Sequence, residues 1–123
     1  MPSFMTKPVV LIVENESLIR LTMAEALDAA GCDAIEAADG AEAQSLVLER
    51  SDIWLLFSDI VMPGGIDGLS LLNEVHESHP HIRLMLTSGQ PTPDAAAMPP
   101  QTMFFPKPYR VSDVTAQVLA LWA

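Results

Sequence analysis

The sequence predicts an α/β fold in which helices cover both faces of a doubly wound, five-stranded parallel sheet. Two observations support this prediction. Short continuous runs of apolar residues alternate along the chain with segments of helical periodicity. The runs are rich in Val, Leu and Ile, as is typical of strands that are buried on both faces. Because parallel strands need crossover connections, the helical segments between the runs would supply them.

The apolar runs predict the strands, and the periodic segments predict the helices. The strands are expected at residues 8–13, 32–38, 52–58, 82–88 and 102–105. The helices are expected at residues 17–31, 40–51, 67–80 and 111–123. Ser17 is a possible N-cap of the first helix. The residues at helical spacing in that helix are Leu18, Leu21, Ala24 or Glu25, and Leu27 or Asp28. In the second helix the residues expected to face inward are Ala43, Leu46 and Val47.

Residues 90–101 interrupt this alternation where a further helix would be due. The segment contains four prolines. Each lacks a backbone N–H and clashes with a preceding helical turn. At most residues 95–98 with a short extension can therefore be helical, and we expect a truncated or irregular segment there.

Length and composition limit the class of protein. A chain of 123 residues is close to the usual size of one domain, so we expect a single domain over residues 1–123 and no output domain. The formal net charge of −10 disfavours direct binding to nucleic acid. No apolar run approaches the roughly 20 residues that span a bilayer, and the lone Cys32 cannot form an internal disulfide. We therefore expect a cytoplasmic protein with no membrane attachment.

Polar residues follow the predicted strands where ligands bind in such sheets, at the carboxyl ends. Glu14 and Asn15 follow the first strand, Asp59 the third, Thr87 closes the fourth, and Lys107 follows the fifth. Glu14 and Asp59 could bind Mg²⁺, which prefers oxygen ligands. A carboxylate beside Mg²⁺ can attack phosphorus and form an aspartyl phosphate. Lys107 could then neutralise the phosphoryl oxygens, and the Thr87 hydroxyl could hydrogen-bond to them.

Four segments resemble the receiver domain of two-component response regulators, the family of chemotaxis-regulator-like signalling domains. They are VVLIVENES, LLFSDIVMPGGIDGL, MLTSG and FFPKPY. They occur in the family's order and at its approximate spacing, and the resemblance covers essentially the whole chain. It implies a flavodoxin-like (βα)5 fold.

The resemblance also implies roles for individual residues. It makes Asp59 the phosphoacceptor, Thr87 the switch hydroxyl and Lys107 the lysine that contacts the phosphoryl group. Val61 would bind the metal through its backbone carbonyl, and Phe104 would be the aromatic residue that changes rotamer on activation. The implied cofactor is Mg²⁺, bound by Glu14, by the residue at position 15, by Asp59 and by Val61.

The resemblance further implies partners and a signalling role rather than an enzymatic one. A histidine kinase or a phosphotransfer protein would donate the phosphoryl group, and a downstream protein partner would read it, with homodimerisation as an option. Phosphoryl transfer to Asp59, and its later loss, would be self-catalysed.

Three departures from the family's pattern bear on function. Asn15 stands where the family has the second of two adjacent acidic residues, so a neutral amide replaces a metal-binding carboxylate. We expect weaker Mg²⁺ binding, with Glu14 or Glu16 as possible compensation. The stretch GGI, residues 64–66, lengthens the loop after Asp59 by one residue. The proline-rich segment falls where receivers usually carry a helix of their signalling face.

Two alternatives to a phosphorylatable receiver remain open at this point. One is a pseudo-receiver, which would act as a phosphorylation-independent interaction module because of Asn15. The other is a flavodoxin-like cofactor-binding protein, although no glycine-rich phosphate loop follows the first strand. The histidines at 76, 79 and 81 fit a solvated loop better than a metal site.

Overall fold

A single parallel sheet of five strands, in the order β2-β1-β3-β4-β5, forms the centre of the molecule. The computed structural model describes residues 7–62, 64–89 and 93–122. The strands are β1 (Val9–Val13), β2 (Asp33–Ala37), β3 (Leu55–Asp59), β4 (Arg83–Ser88) and β5 (Met103–Pro106). The helices are α1 (Ser17–Ala29), α2 (Gly40–Glu49), α3 (Gly68–Ser78) and α4 (Val111–Trp122). The predicted doubly wound fold is confirmed.

The strand order creates a crevice between the carboxyl ends of β1 and β3. From β1 the chain first moves outward to β2, and then crosses back over β1 to reach β3, β4 and β5. The direction of winding therefore reverses at β1, and ligands bind at such reversal points in open α/β sheets. Glu14 directly follows β1, and Asp59 is the last residue of β3. Both carboxylates thus reach the crevice.

Alternating side chains of the strands build one hydrophobic core on each face of the sheet. Leu11 and Leu56 belong to the core that packs against α2 and α3. Ile12 and Phe57 belong to the core that packs against α1 and α4. This two-sided burial explains why the central strands read as continuous apolar runs.

The apolar stripe expected on α1 is only partly right. Ala24 and Leu27 are buried together with Met23, whereas Leu18 is 75% exposed and Leu21 is 47% exposed. At about 100° per residue, Leu18 lies on the opposite side of the helix from Met23, Ala24 and Leu27. A helical spacing alone therefore did not identify the face that the core covers.

The N-cap expected for α1 is also wrong. Ser17 is the first helical residue, and the N-cap position is occupied by Glu16, whose side chain makes no capping hydrogen bond. In α2 the expected inward face is confirmed, since Ala43 and Val47 are buried and Leu46 packs against the same core.

The crossover between β4 and β5 contains a single 3₁₀ turn, Ala95–Ala97, within its described residues. This agrees with the prediction of a truncated or irregular segment; residues 90–92 lie outside the described part of the chain. The Asn73 side chain on α3 donates a hydrogen bond of 3.0 Å to the Ala97 carbonyl. This hydrogen bond ties the 3₁₀ turn to α3.

The lengthened loop after β3 leaves Asp59 in register with its neighbours. Asp59 pairs with Thr87 of β4. Gly64 adopts a φ of 97°, a conformation that glycine accommodates without steric cost. Pro63, which precedes it, lies outside the described residues.

Among the helices of the described residues, none has the length and apolarity that a bilayer crossing requires.

Candidate functional site

A cleft of about 470 Å³ opens where β1 and β3 end. The residues that line it are Glu14, Asn15, Glu16, Asp59, Val61, Met62 and Lys107. The structure thus brings together the four residues predicted to bind a metal and the lysine predicted to contact a phosphoryl group. They come from three chain segments that only the sheet places side by side.

The centre of the cleft is an ammonium group held by two buried carboxylates. Lys107 Nζ lies 2.7 Å from Asp59 Oδ2 and 3.4 Å from Glu14 Oε1. Glu14 is 4% exposed and Asp59 is 6% exposed. Two carboxylates and one ammonium leave one uncompensated negative charge when all three groups are ionised. Further positive charge would therefore be stabilised there.

Burial and ion pairing shift the pKa values of Lys107 and Glu14. Burial acts to lower the pKa of Lys107, but the hydrogen bond and charge of Asp59, together with Glu14, outweigh it and raise that pKa. The pKa of Glu14 is also raised, chiefly by burial and further by the charge of Asp59. The hydrogen bond from the Glu16 amide and the charge of Lys107 oppose this rise. Lys107 thus does not offset the whole cost of burying Glu14.

Backbone contacts hold Asp59 at the bottom of the cleft. The Val61 amide donates to Asp59 Oδ1 at 3.3 Å, and the Ser58 hydroxyl donates to the Asp59 carbonyl oxygen at 2.9 Å. Gly68 begins α3 directly against this carbonyl, and a Cβ atom at Gly68 would overlap the Asp59 carbonyl oxygen. The close approach of α3 to β3 therefore requires glycine at this position.

Glu14 is anchored through both its backbone and its side chain. The Glu16 amide donates to Glu14 Oε2 at 3.0 Å. Arg20 Nη1 donates to the Glu14 carbonyl oxygen at 2.8 Å. Asn15, between them, is exposed, and its side chain makes no hydrogen bond to any other described residue. Its amide oxygen is therefore available to a ligand in the cleft.

Thr87 and Phe104 lie beside the cleft and do not line it. Thr87 is buried next to Asp59, and its hydroxyl donates to the Phe105 carbonyl oxygen of β5 at 2.6 Å. Phe104 is half-buried and packs on the α2 and α3 side of the sheet, as does Met98. The hydroxyl predicted to act as a switch is therefore engaged with the strand that carries the predicted switch aromatic.

The donor set of the cleft fits Mg²⁺. Within the described residues no three side chains of His, Cys, Asp or Glu converge on one point, so the acidic contribution is the pair Glu14 and Asp59. Mg²⁺ usually uses one or two protein carboxylates and retains waters. The Lys107 ammonium already occupies a cation position between the two carboxylates. Asn15 adds a neutral oxygen, as expected from its departure from the acidic pattern at this position.

Sequence reasoning missed two residues that shape the cleft, Arg20 and Gly68. Arg20 gave no signal because its partner at the cleft is a backbone carbonyl, and its other partner, Glu36, lies on a different strand. Gly68 had a usable signal, since it follows Asp67, whose side chain caps α3 by accepting from the Ser70 amide at 2.8 Å. A helix that starts on glycine indicates a close approach to neighbouring backbone.

The family model described as the response regulator receiver domain matches residues 10–118. The chain belongs to this family. Membership agrees with the parallel sheet and with the position of the cleft, and it argues against the flavodoxin-like cofactor-binding alternative.

Two curated relatives are longer proteins that each contain a segment similar to this chain. The chain is 35% identical, over 89% of its length, to sensor kinase CckA of Brucella abortus, of which it covers 12%. It is 33% identical, over 93% of its length, to the DNA-binding transcriptional regulator NtrC of Escherichia coli K12, of which it covers 24%. The chain therefore spans a quarter or less of these two curated relatives.

A solved receiver domain resembles the chain along almost all of both molecules. The receiver domain of the hybrid histidine kinase CckA superposes with a TM-score of 0.79 and is 34% identical. The superposition covers 94% of this chain and 99% of that domain.

We predict that Gly68→Ala destabilises the protein by about 2 kcal/mol, because overpacking against fixed backbone costs 1–3 kcal/mol. Gly65→Ala is the matched control, since a Cβ atom there meets nothing within 4 Å. Urea unfolding followed by circular dichroism measures both variants. Equal stability of the two variants would show that α3 can move away from Asp59 at little cost.

Proposed function

We propose that this receiver domain accepts a phosphoryl group on Asp59, from a histidine kinase or a phosphotransfer protein, and signals the change to a protein partner. The observation that carries the proposal is the Lys107 ammonium held between the buried carboxylates of Glu14 and Asp59. This arrangement provides a nucleophile, a cation for the phosphoryl oxygens and a place for a metal ion.

Asp59 is the proposed nucleophile. One of its carboxylate oxygens attacks phosphorus, the bond from phosphorus to the donor's nitrogen or oxygen breaks, and the donor keeps the electron pair. The carboxylate loses its negative charge in the acyl phosphate, whereas the phosphoryl oxygens carry charge. Lys107, now 2.7 Å from Asp59 Oδ2, would then donate to a phosphoryl oxygen, since the charged acceptor forms the stronger hydrogen bond.

Glu14, Asn15 and Asp59 are the side chains proposed to hold Mg²⁺, with the backbone carbonyl of Val61 as a further ligand. The ion supplies neutralisation of the charge that builds on the phosphoryl oxygens during transfer. Asn15 contributes an amide oxygen without charge, so the affinity is expected to be lower than with an acidic residue at that position.

Thr87 is proposed to report the modification. Its hydroxyl donates to the Phe105 carbonyl at 2.6 Å. Turning the hydroxyl toward a phosphoryl group on Asp59 would release that carbonyl, and with it the backbone beside Phe104. The output surface would then be centred on β5 and α4, because the described part of the crossover before β5 carries one 3₁₀ turn and no longer helix.

The domain itself is proposed to be a cytoplasmic signalling module and not an enzyme. Phosphoryl transfer to Asp59 and its later hydrolysis would be self-catalysed. The net charge of −10 supports a protein partner over nucleic acid. Homodimerisation through the β5 and α4 face is one form that this partnership could take.

A pseudo-receiver is the second candidate, and the exposed Asn15 amide is the observation that favours it. In that case the ammonium of Lys107 would serve as the permanent cation of the cleft. The domain would bind its partner without modification.

We predict that incubation with acetyl phosphate and Mg²⁺ adds one labile phosphoryl group to the wild-type chain. Asp59→Asn should abolish the adduct, whereas Asp113→Asn, which removes an exposed carboxylate on α4, should retain it. Intact mass spectrometry with and without Mg²⁺ measures the outcome. An adduct that survives in Asp59→Asn would disprove Asp59 as the acceptor.

We predict that Asn15→Asp strengthens Mg²⁺ binding by about tenfold or more. A unit charge about 4 Å away is worth up to about 4 kcal/mol before desolvation is subtracted, and 1.4 kcal/mol is tenfold in affinity. Gln117→Glu on α4 adds the same charge away from the cleft lining and should leave the affinity nearly unchanged. Isothermal titration with MgCl₂ measures the Mg²⁺ affinity of the wild-type chain and of both variants. A wild-type affinity equal to that of Asn15→Asp would mean that position 15 does not bind the ion.

A further inference from the structure

Arg20 joins three elements on the side of the cleft where β1 ends. Its Nη1 atom donates to the Glu14 carbonyl oxygen at 2.8 Å, and its Nε atom donates to Glu36 Oε1 of β2 at 3.1 Å. The Arg20 side chain is 18% exposed, although the residue lies in the first turn of α1. Neither contact reaches the interior of the cleft, and Arg20 does not line it.

We propose that Arg20 is a positioning residue that sets the Mg²⁺ affinity of the cleft by fixing the peptide plane between Glu14 and Asn15. This inference rests on the proposed function, because it concerns the metal site of that function. The carbonyl that Arg20 holds belongs to the peptide that joins Glu14 to Asn15. Rotation of this plane would move both side chains that the loop after β1 contributes to the proposed metal site.

Apart from the contacts of the Glu14 carboxylate with the Glu16 amide and Lys107, the loop after β1 is held at its two ends. Upstream, the Glu14 amide donates to the Ala37 carbonyl at 3.1 Å, which completes the β1 and β2 pairing. Downstream, α1 begins at an N-cap residue, Glu16, whose side chain makes no capping hydrogen bond. The usual side-chain anchor of a helix start is therefore missing here. Arg20, one turn into the helix, instead links the helix to the loop by donating to the Glu14 carbonyl, and it does not cap the helix amides.

Glu36 holds the guanidinium in place. Its side chain is 38% exposed, and its carboxylate accepts from Nε, which orients the planar group so that Nη1 points at the Glu14 carbonyl. The guanidinium can make both contacts at once because its donors point in different directions within one rigid plane. A lysine at position 20 would keep the charge, but its donors all lie on one nitrogen and lack the planar fork of the guanidinium.

Charge and positioning predict opposite effects when Arg20 is removed. The guanidinium is a positive charge near the cleft, so its loss would strengthen Mg²⁺ binding if charge alone mattered. Loss of the carbonyl contact would weaken binding if Arg20 positions Glu14 and Asn15. The sign of the change therefore separates the two roles.

The test is isothermal titration with MgCl₂ of Arg20→Met, Arg20→Lys and the control Arg50→Met. Arg50→Met removes an equal charge at the opposite end of the sheet, where Arg50 pairs with Asp52 on the surface. Each variant is made both in the wild-type chain and with Asn15→Asp, and circular dichroism establishes that it is folded at the titration temperature. The Asn15→Asp series gives a measurable affinity if wild-type binding is too weak to titrate.

The proposal predicts that Arg20→Met weakens Mg²⁺ binding about tenfold, as loss of an outer-shell contact typically does. Arg20→Lys should show a smaller weakening, and Arg50→Met should change the affinity less than twofold. Unchanged or tighter binding in Arg20→Met overturns the proposal. If Arg20→Met does not fold, Arg20→Lys decides, because a charge-only role predicts wild-type affinity for it.

Failure of the wild-type and Asn15→Asp chains alike to bind Mg²⁺ would overturn both the metal site and this role of Arg20. Normal binding that is insensitive to Arg20 would overturn this role alone.

Discussion

Two buried carboxylates at the ends of neighbouring strands constrain the whole structure. Burying a carboxylate without compensation costs several kcal/mol, and here Glu14 and Asp59 share one cleft. The Lys107 ammonium compensates them, at 2.7 Å from Asp59 Oδ2. Lys107 can do so only because β5, which precedes it, lies two strands from β3 in the same parallel sheet. The strand order brings Lys107, which follows β5, next to the two carboxylates. The close approach of α3 to β3 at Gly68 packs against the backbone of Asp59.

The same arrangement connects the receiver fold with its proposed chemistry. When ionised, the carboxylates of the cleft outnumber its one ammonium group, which suits a cation. The ammonium suits the oxygens of a transferred phosphoryl group. In the proposed Mg²⁺ site, Asn15 offers a neutral amide oxygen and no negative charge. The positions of the Glu14 and Asn15 oxygens would then depend more strongly on the contacts that Arg20 and the Glu16 amide make with Glu14. The proposed output surface lies around β5 and α4, next to a crossover whose described residues contain one 3₁₀ turn.

The fold and most of the site could be predicted from the sequence, for physical reasons that also explain the errors. Strands buried on both faces must be apolar, so runs such as residues 8–13 were visible, and the residues that follow them had to meet at one edge. Leu18 misled because a surface helix can carry apolar residues outside its core face. Arg20 was invisible because it binds a backbone carbonyl and a side chain on a different strand. The orientation of the Thr87 hydroxyl toward β5 depends on three-dimensional neighbours that no local pattern specifies.

The central claim is that Asp59 accepts a phosphoryl group beside a bound Mg²⁺ ion, and that Lys107 then moves its hydrogen bond from Asp59 to that group. The chain has only two lysines, Lys7 and Lys107, so lysine-selective isotope labelling gives one reporter inside the cleft and one internal control outside it. NMR spectra of the side-chain ammonium and Cε groups would be recorded during addition of Mg²⁺ and then of acetyl phosphate. We expect the Lys107 signals to shift at both steps and the Lys7 signals to stay in place, with no second shift in Asp59→Asn. Lys107 signals that remain unchanged at both steps would contradict this account of the site.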